Sequence, residues 1–156
     1  PLRRFNNVFL YSRERRSLEE IGAATPAAFC PDLAFWVDVP QDLKAKSGVG
    51  YAFRTDSEGY GFGAAFDKNR DLSITGTWAV ADFLRDVSEY EVLHTDRTHV
   101  AVAAILLGRE VHLYPNRYHK NIGYFEAYLR RLGCVWHDAP KDRISRSGLT
   151  NASESE

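Results

Sequence analysis

The order of strand-like and helix-like segments most constrains the fold. From about residue 71 the chain alternates three times between a short apolar strand and a helical segment. These segments are, in order, "DLSITGTW", "AVADFLRDVSEYE", "VLHT", "HVAVAAILLG", "REVHLYPN" and "IGYFEAYLRRLG". Alternation at this spacing indicates a parallel sheet with crossover helices. The sequence therefore predicts an α/β fold, with a Rossmann-like parallel sheet and helices on both of its faces.

The upstream part of the chain reads as a separate unit. "NNVFLYSRERRSLEEIGA" predicts a strand, a turn and a helix from about Ser17, where Ser17 and Glu20 would form a capping box. "AAFCPDLAFWVDVP" is a second extended stretch, and the polar "QDLKAKSG" is typical of a linker. We therefore expect residues 1–40 to be the end of a preceding α/β domain. Residues 41–137 would form the Rossmann-like domain, and 138–156 a polar, disordered tail.

Composition excludes several classes of function. The hydrophobic content of 44% is sufficient for a core, and the formal net charge of −1 argues against nucleic acid as a partner. No apolar run reaches the roughly 20 residues that span a bilayer, and no signal peptide is visible, so we expect a cytoplasmic protein. Cys30 and Cys134 lack metal-ligand spacing and are expected to be buried thiols, and no ligand cluster for a metal is evident. The chain begins at Pro1 without any methionine, which suggests the C-terminal part of a longer protein.

Cationic side chains enter two successive strand-to-helix turns. In "TDRTH", Thr95 or Asp96 can cap a helix whose first turn would hold Arg97 and His99. An arginine there is unfavourable by about 0.3–1 kcal/mol against the helix dipole, which a bound anion would offset. Lys120 enters the next helix after "YPNRYHKN", in the equivalent place.

These residues are expected to meet at one edge of the sheet, because ligands of open α/β sheets bind at the carboxyl ends of the strands. Arg54, at the end of strand "GYAFRTD", can reach the same crevice. Arginine and lysine would hold a carboxylate or phosphate, and His99 can move a proton near neutral pH. Plainer alternatives stay open: a surface ion pair for Arg97, a satisfied half-buried His99, and a solvated Lys120.

The stretch "TDRTHVAVAAILLGREVHLYPNRYHKN" resembles the C-terminal signature of the polysaccharide pyruvyl transferases. That signature has a "TDRLH" segment opening an apolar helix, an "LLG" exit, and a lysine in the loop after the next strand. The upstream "SRERRS" and "PDLAF" are similar to further segments of the family, and the likeness extends from about residue 8 to residue 132.

The resemblance implies the C-terminal half of a glycosyltransferase-B-like architecture, with the active site between two domains. It also implies transfer of a pyruvyl group from phosphoenolpyruvate to a sugar hydroxyl as a ketal, in the biosynthesis of cell-surface polysaccharides in bacteria. Carried over by position, Arg97 and His99 would be catalytic, and Arg54, Arg97, Thr98 and Lys120 would bind the substrate. No cofactor or metal is implied. The acceptor would be a saccharide or lipid-linked oligosaccharide, through which the protein could associate peripherally with a membrane.

This chain departs from the family pattern in two respects. Threonine stands at position 98, where the family has leucine. Most of the family's N-terminal domain, which carries the acceptor site, is not in the sequence, so the chain alone is not expected to catalyse the reaction. Two rival functions follow: a nucleotide-sugar-dependent glycosyltransferase using the same crevice for a diphosphate, and a truncated, non-catalytic domain that binds an anion or a partner.

Overall fold

The computed structural model describes residues 8–40, 42–43, 48–72 and 79–138. Most of the predicted linker, most of the predicted strand "DLSITGTW" and nearly all of the predicted tail lie outside the described residues. Both cysteines are described and carry free thiols; Cys134 is buried, whereas Cys30 is only partly so. No helix in the described ranges is long and apolar enough to cross a membrane.

The N-terminal unit is a small parallel pair of strands with one helix. Strand β1 is Leu10–Ser12, helix α1 is Arg15–Gly22 and strand β2 is Ala27–Phe29. The carboxylate of Glu14 caps α1 by accepting from the backbone N–H groups of Arg16 and Ser17 at 2.8 and 2.7 Å. The predicted capping box with Ser17 as its first residue was therefore wrong, because the helix begins two residues before Ser17.

The larger unit is a four-stranded, wholly parallel sheet in the order β3-β4-β5-β6. Its strands are β3, Val49–Ala52; β4, Val92–Thr95; β5, Glu110–Leu113; and β6, Val135–Trp136. Its helices are α2, Val80–Ser88; α3, Thr98–Leu106; and α4, Lys120–Ala127. The predicted α/β fold with a Rossmann-like parallel sheet is confirmed.

The core lies between the sheet and helix α3, which is apolar on all sides. Leu93 and Leu113 point from β4 and β5 into this core, where both are fully buried. Both α2 and α4 contact α3, which groups the three helices on this face of the sheet. Helix α3 ends at Leu106, and Gly108 shortly after it adopts a φ of 70°, the left-handed conformation that commonly terminates a helix.

The opposite face of the sheet is lined by rings. Because side chains alternate along a strand, Tyr51, His94 and His112 share this face. The Phe66 ring stacks on Tyr51 with the ring centroids 4.0 Å apart. In the described part of the chain this face is therefore covered by aromatic side chains and a 3-10 turn, Phe62–Ala65. The sequence predicted helices on both faces, whereas the α-helices described for the larger unit lie on one face, because successive crossovers between neighbouring parallel strands share one hand.

The N-terminal unit packs against the larger one. A 3-10 helix, Leu33–Trp36, contacts α3, and Val39 is buried in the core of the larger sheet. The hydroxyl of Tyr128 donates to the carbonyl of Arg13 at 2.8 Å. These contacts bring residues from "SRERRS" and "PDLAF" to the carboxyl edge of the larger sheet. The predicted domain boundary after residue 40 stays a prediction.

Candidate functional site

A crevice opens at the carboxyl edge of the larger sheet, where the turns after β3, β4 and β5 meet. Strands β4 and β5 are parallel neighbours, as the convergence of their two turns requires. A cavity of about 360 Å³ lies there. The structure brings all five predicted site residues to it, with Asn116, Tyr118 and Asn121 beside them. The predicted five are Arg54, Arg97, Thr98, His99 and Lys120.

Buried polar groups hold the strand ends beneath the crevice. The Thr95 hydroxyl donates to the carbonyl of Ala52 at 2.7 Å and accepts from the backbone N–H of Arg97 at 3.0 Å. Oδ1 of Asp96 accepts from the backbone N–H of Arg54 at 2.8 Å. These bonds fix the turn after β4 against the end of β3.

Asp96 is a fully buried carboxyl group whose second oxygen, Oδ2, has no hydrogen-bond partner among the described residues. Burial raises the pKa of Asp96 to about 6, although the Arg54 N–H and the charges of Arg54 and Arg97 act in the opposite direction. The carboxyl is therefore held in a place that penalises its charge, directly below the crevice.

Arg97 is the residue before α3, so the prediction that it lies in the first turn of this helix was wrong. Its Nε and Nη2 donate to the two oxygens of Asp71 at 2.8 and 2.7 Å, and Nη2 also donates to Asp56 at 3.1 Å. The side chains of Arg97 and Asp71 are 13% and 4% exposed, so this is a largely buried pair. The sequence suggested that a bound anion would offset the unfavourable place of Arg97 at a helix N-terminus. The carboxylates of Asp71 and Asp56 already do so.

Arg54 is held in the same manner. Its Nε and Nη2 donate to the carboxylate of Asp56 at 2.9 Å each, and Nη2 also pairs with Glu58. A guanidinium has five N–H donors. The bonds found among the described residues leave the Nη1 ends of both Arg54 and Arg97 for a further acceptor.

Thr98 faces the crevice with a hydroxyl that is already engaged. It donates to Oδ1 of Asn121 at 2.6 Å, and the Asn121 amide in turn donates to the carbonyls of Asp96 and Tyr114 at 2.6 and 3.0 Å. These bonds tie the start of α3 to the start of α4. Thr98 thus positions the two helix N-termini, and its predicted contact with a substrate stays a prediction.

His99 is half exposed, and its Nε2 lies 3.5 Å from Oδ2 of Asp32. The same oxygen accepts from Arg13 at 2.6 Å and from the Tyr124 hydroxyl, while Oδ1 accepts from the Ala34 N–H at 2.9 Å. Burial alone would raise the pKa of Asp32, but these hydrogen bonds and the Arg13 charge outweigh it and hold the pKa at about 2. A permanently ionised carboxylate therefore stands beside His99.

Asp32 and Arg13 are site residues that the spacing of the turns did not reveal. Both come from the N-terminal unit, and His99 is 67 positions from Asp32 in the chain. The available signals were the family-like segments "SRERRS" and "PDLAF", in which Arg13 and Asp32 stand.

Lys120 differs from the two arginines of the crevice. It is the first residue of α4 and partly buried, with Nζ 5.8 Å from the centre of the Tyr124 ring. Burial and the nearby Arg13 charge lower its pKa. Among the described residues no carboxylate lies within ion-pair distance of it. Lys120 is thus a partly desolvated cation that faces the cavity without a carboxylate partner in that part of the chain.

A group of histidines lies on the ring-lined face of the sheet, away from α3. His94, His112 and His137 each place one potential ligand atom within 4.8 Å of the others. The expectation that the chain has no ligand cluster for a metal was therefore wrong. The signal was the histidine in third place of both "VLHT" and "EVHL", which become neighbours only once β4 and β5 pair in register.

Comparison with known proteins gives a structural relative but no named family. No family model matches the chain, and no curated protein matches it. A crystal structure of a functionally uncharacterized protein from Klebsiella pneumoniae subsp. pneumoniae is similar, with 29% identity and a TM-score of 0.66. The similarity covers 83% of this chain and 54% of that protein, so this chain spans about half the length of its relative.

Proposed function

We propose that the crevice binds phosphoenolpyruvate, and that the chain is the C-terminal part of a polysaccharide pyruvyl transferase. The observation that carries the proposal is Lys120, a partly buried cation facing a cavity without a carboxylate partner among the described residues. The N-terminus of α3 opens on the same cavity with no side-chain cap, so its first N–H groups are available to an anion.

The donor matches this arrangement of charges. Phosphoenolpyruvate carries a phosphate and a carboxylate. Lys120 and the α3 N-terminus suit the phosphate, and the Nη1 ends of Arg54 and Arg97 suit the planar carboxylate. Because Asp71 and Asp56 fix both guanidinium groups, little side-chain entropy would be lost when the donor binds.

His99 supplies the proton chemistry in this proposal. Ketal formation adds two sugar hydroxyl oxygens to the central carbon of phosphoenolpyruvate, places a proton on its methylene carbon, and releases inorganic phosphate. His99 would deliver that proton, with the Asp32 carboxylate beside Nε2 orienting the ring. The protons of the two hydroxyl groups leave during attack, one restoring His99 and one departing with phosphate.

The acceptor and the place of the reaction belong to the same proposal. A saccharide or lipid-linked oligosaccharide would bind on the N-terminal domain that the family resemblance implies opposite this crevice. The reaction would take place in the cytoplasm. A second cavity, of about 600 Å³, adjoins the first at Arg54 and is lined by the "SEGYGFG" turn. An aromatic, glycine-rich surface beside the donor site suits the flat face of a sugar ring.

The test is calorimetric titration of the chain with phosphoenolpyruvate, with a nucleotide diphosphate-sugar and with inorganic sulfate. We expect phosphoenolpyruvate to bind most tightly and Lys120→Ala to weaken it at least tenfold, a difference of about 1.4 kcal/mol. Lys68→Ala removes an equally charged but exposed lysine and is the matched control, with an effect below about twofold.

Other outcomes would replace the proposal. Tighter binding of the nucleotide-sugar would favour the glycosyltransferase. Equal, weak binding of all three ligands would favour the non-catalytic domain, in which Arg54 and Arg97 serve only as partners of their carboxylates.

A further inference from the structure

Three histidines lie close together on the ring-lined face of the larger sheet: one in β4, one in β5 and one directly after β6. His94 and His112 are directly paired in the register of β4 and β5. His112 pairs with Val135 of β6, so His137, two residues later, returns to the same face. The rings of His94 and His112 stack with centroids 4.3 Å apart, and those of His112 and His137 lie 5.0 Å apart. The sheet itself therefore sets the spacing of the three imidazoles.

Hydrogen bonds at the rim of the cluster select which ring nitrogens carry protons. Nε2 of His112 is 2.9 Å from the Glu110 carboxylate, to which it must donate. In the neutral ring this leaves the lone pair on Nδ1, which points at Nε2 of His137 at 2.8 Å. The Tyr114 hydroxyl lies 3.0 Å from Nδ1 of His94. A carboxylate that fixes the outer nitrogen of a histidine is the usual arrangement behind a metal-bound imidazole.

Two of the imidazoles are also in the neutral form that binds metals. Burial and the neighbouring His112 and His137 together lower the pKa of His94 to about 4. Burial and His112 lower the pKa of His137 as well. The His112 side chain is only 17% exposed. At neutral pH His94 and His137 thus offer uncharged nitrogen donors, beside a His112 ring that is largely shielded from water.

We propose that His94, His112 and His137 form a binding site for one divalent transition-metal ion of the zinc class. Imidazole nitrogens suit Zn²⁺, Cu²⁺, Ni²⁺ and Co²⁺, and do not suit Mg²⁺ or Ca²⁺. Metal–nitrogen bonds of about 2.0–2.1 Å in a tetrahedron need roughly 3.3 Å between ligand nitrogens, so His112 and His137 would separate by about half an ångström. The fourth position is left to water or another oxygen ligand.

The ion would join β4, β5 and the chain after β6. Strand β6 has only two residues, Val135–Trp136, and among the described strands it pairs with β5 alone, so few backbone bonds hold it there. A bond from His137 to the same ion as His94 and His112 would hold this edge strand in place. We therefore expect the ion to stabilise the fold, independently of any ligand in the crevice.

The experiment uses the untagged chain after treatment with a chelator. Zn²⁺ is titrated by calorimetry, and Co²⁺ by visible absorption, whose intensity reports tetrahedral coordination. We expect one ion per chain and a melting temperature higher by roughly 5–10 °C at a hundredfold excess of Zn²⁺ over Kd. His94→Gln and His137→Gln should each weaken Zn²⁺ at least tenfold. His119→Gln, which changes a histidine outside the cluster, should leave binding within twofold.

A measurement on the unmodified chain guards against variants that fail to fold. In nitrogen-15 spectra of the imidazole rings, paramagnetic Co²⁺ should broaden the signals of His94, His112 and His137 and spare those of His99 and His119. All five histidines of the chain lie in the described ranges. Binding of less than one ion per chain, or broadening of His99 and His119 to the same extent, would show that the cluster is an aromatic stack only.

Discussion

The crevice and the histidine cluster lie at the same end of one sheet, but they are built in different ways. The crevice is formed by turns after β3, β4 and β5, and its two arginines are held by Asp56, Asp71 and Glu58. The cluster is formed by residues of the strands or directly after them, and its imidazoles contact one another.

The difference between the two regions concerns where their charge comes from. In the crevice, cations and carboxylates are closely paired, so its electrostatic field depends on Lys120 and on the Nη1 ends of two guanidinium groups, which have no partner among the described residues. In the cluster, burial lowers the pKa of His94 and His137 and so favours their neutral rings, whose lone pairs can bind a cation. The first arrangement suits an anion with two charged groups, and the second suits a soft or borderline cation.

The largest effect we predict comes from breaking the buried pair beneath the crevice. Asp71→Asn keeps the shape of the side chain but removes the charge opposite Arg97. Because Arg97 and Asp71 are largely buried, the guanidinium would keep only its longer contact with the more exposed Asp56, and we expect a loss of about 3 kcal/mol in the free energy of unfolding. Urea denaturation followed by circular dichroism measures this loss.

The matched control is Asp86→Asn, which breaks a more exposed pair with Arg70 at 2.8 Å. We expect it to reduce the free energy of unfolding by less than about 1 kcal/mol. If the two variants lost equal stability, the carboxylates around Arg97 would not be a structural requirement of the crevice.

An intermediate effect should appear in the pH dependence of stability, through Asp96. Its pKa in the folded protein is about 6, raised by burial from the ordinary value of 3.8. Between these two values the folded chain binds more protons than the unfolded one, so Asp96 lowers stability as pH rises from about 4 to about 6.

Asp96→Asn removes this titration. Relative to the unmodified chain, the variant should gain roughly 1–3 kcal/mol in its free energy of unfolding between pH 4 and pH 7. Urea denaturation at several pH values checks this, with Asp82→Asn, which changes an exposed carboxylate, as the control. Parallel pH profiles for Asp96→Asn and the unmodified chain would mean that ionisation of the buried Asp96 carboxyl does not destabilise the fold.

The parts of the molecule that could be predicted are those encoded by neighbouring residues. The apolar run after His99 and Gly108 at its end determine α3. The meeting of Arg97 and Lys120 could be predicted because each lies in the connection between a strand and the next helix, and neighbouring parallel strands end at one edge of the sheet. The start of α1 was missed because a glutamate, Glu14, caps it in place of the expected serine.

Contacts between distant residues could not be predicted, because they depend on strand order and on packing between the two units. Asp71 is 26 positions from Arg97, and nothing near Arg97 in the sequence identifies it as the partner. The histidine cluster depends on the register of β4, β5 and β6, since a shift by one residue would move His112 to the other face.

The smallest effect we predict is the coupling between the two regions, and it decides whether they act separately. Tyr114 touches both: its hydroxyl lies by His94, and its carbonyl accepts from Asn121 below the crevice. This link passes through a backbone held in the sheet, so one ligand should hardly alter the other site.

We expect saturating Zn²⁺ to change the Kd of phosphoenolpyruvate by less than about twofold, which is a coupling below about 0.4 kcal/mol. Linkage requires phosphoenolpyruvate to change the Zn²⁺ affinity by the same factor. Calorimetric titrations with the two ligands added in either order should therefore give the same coupling. Coupling of tenfold or more would mean that the two regions form a single unit, with Tyr114→Phe as the variant that should then reduce it.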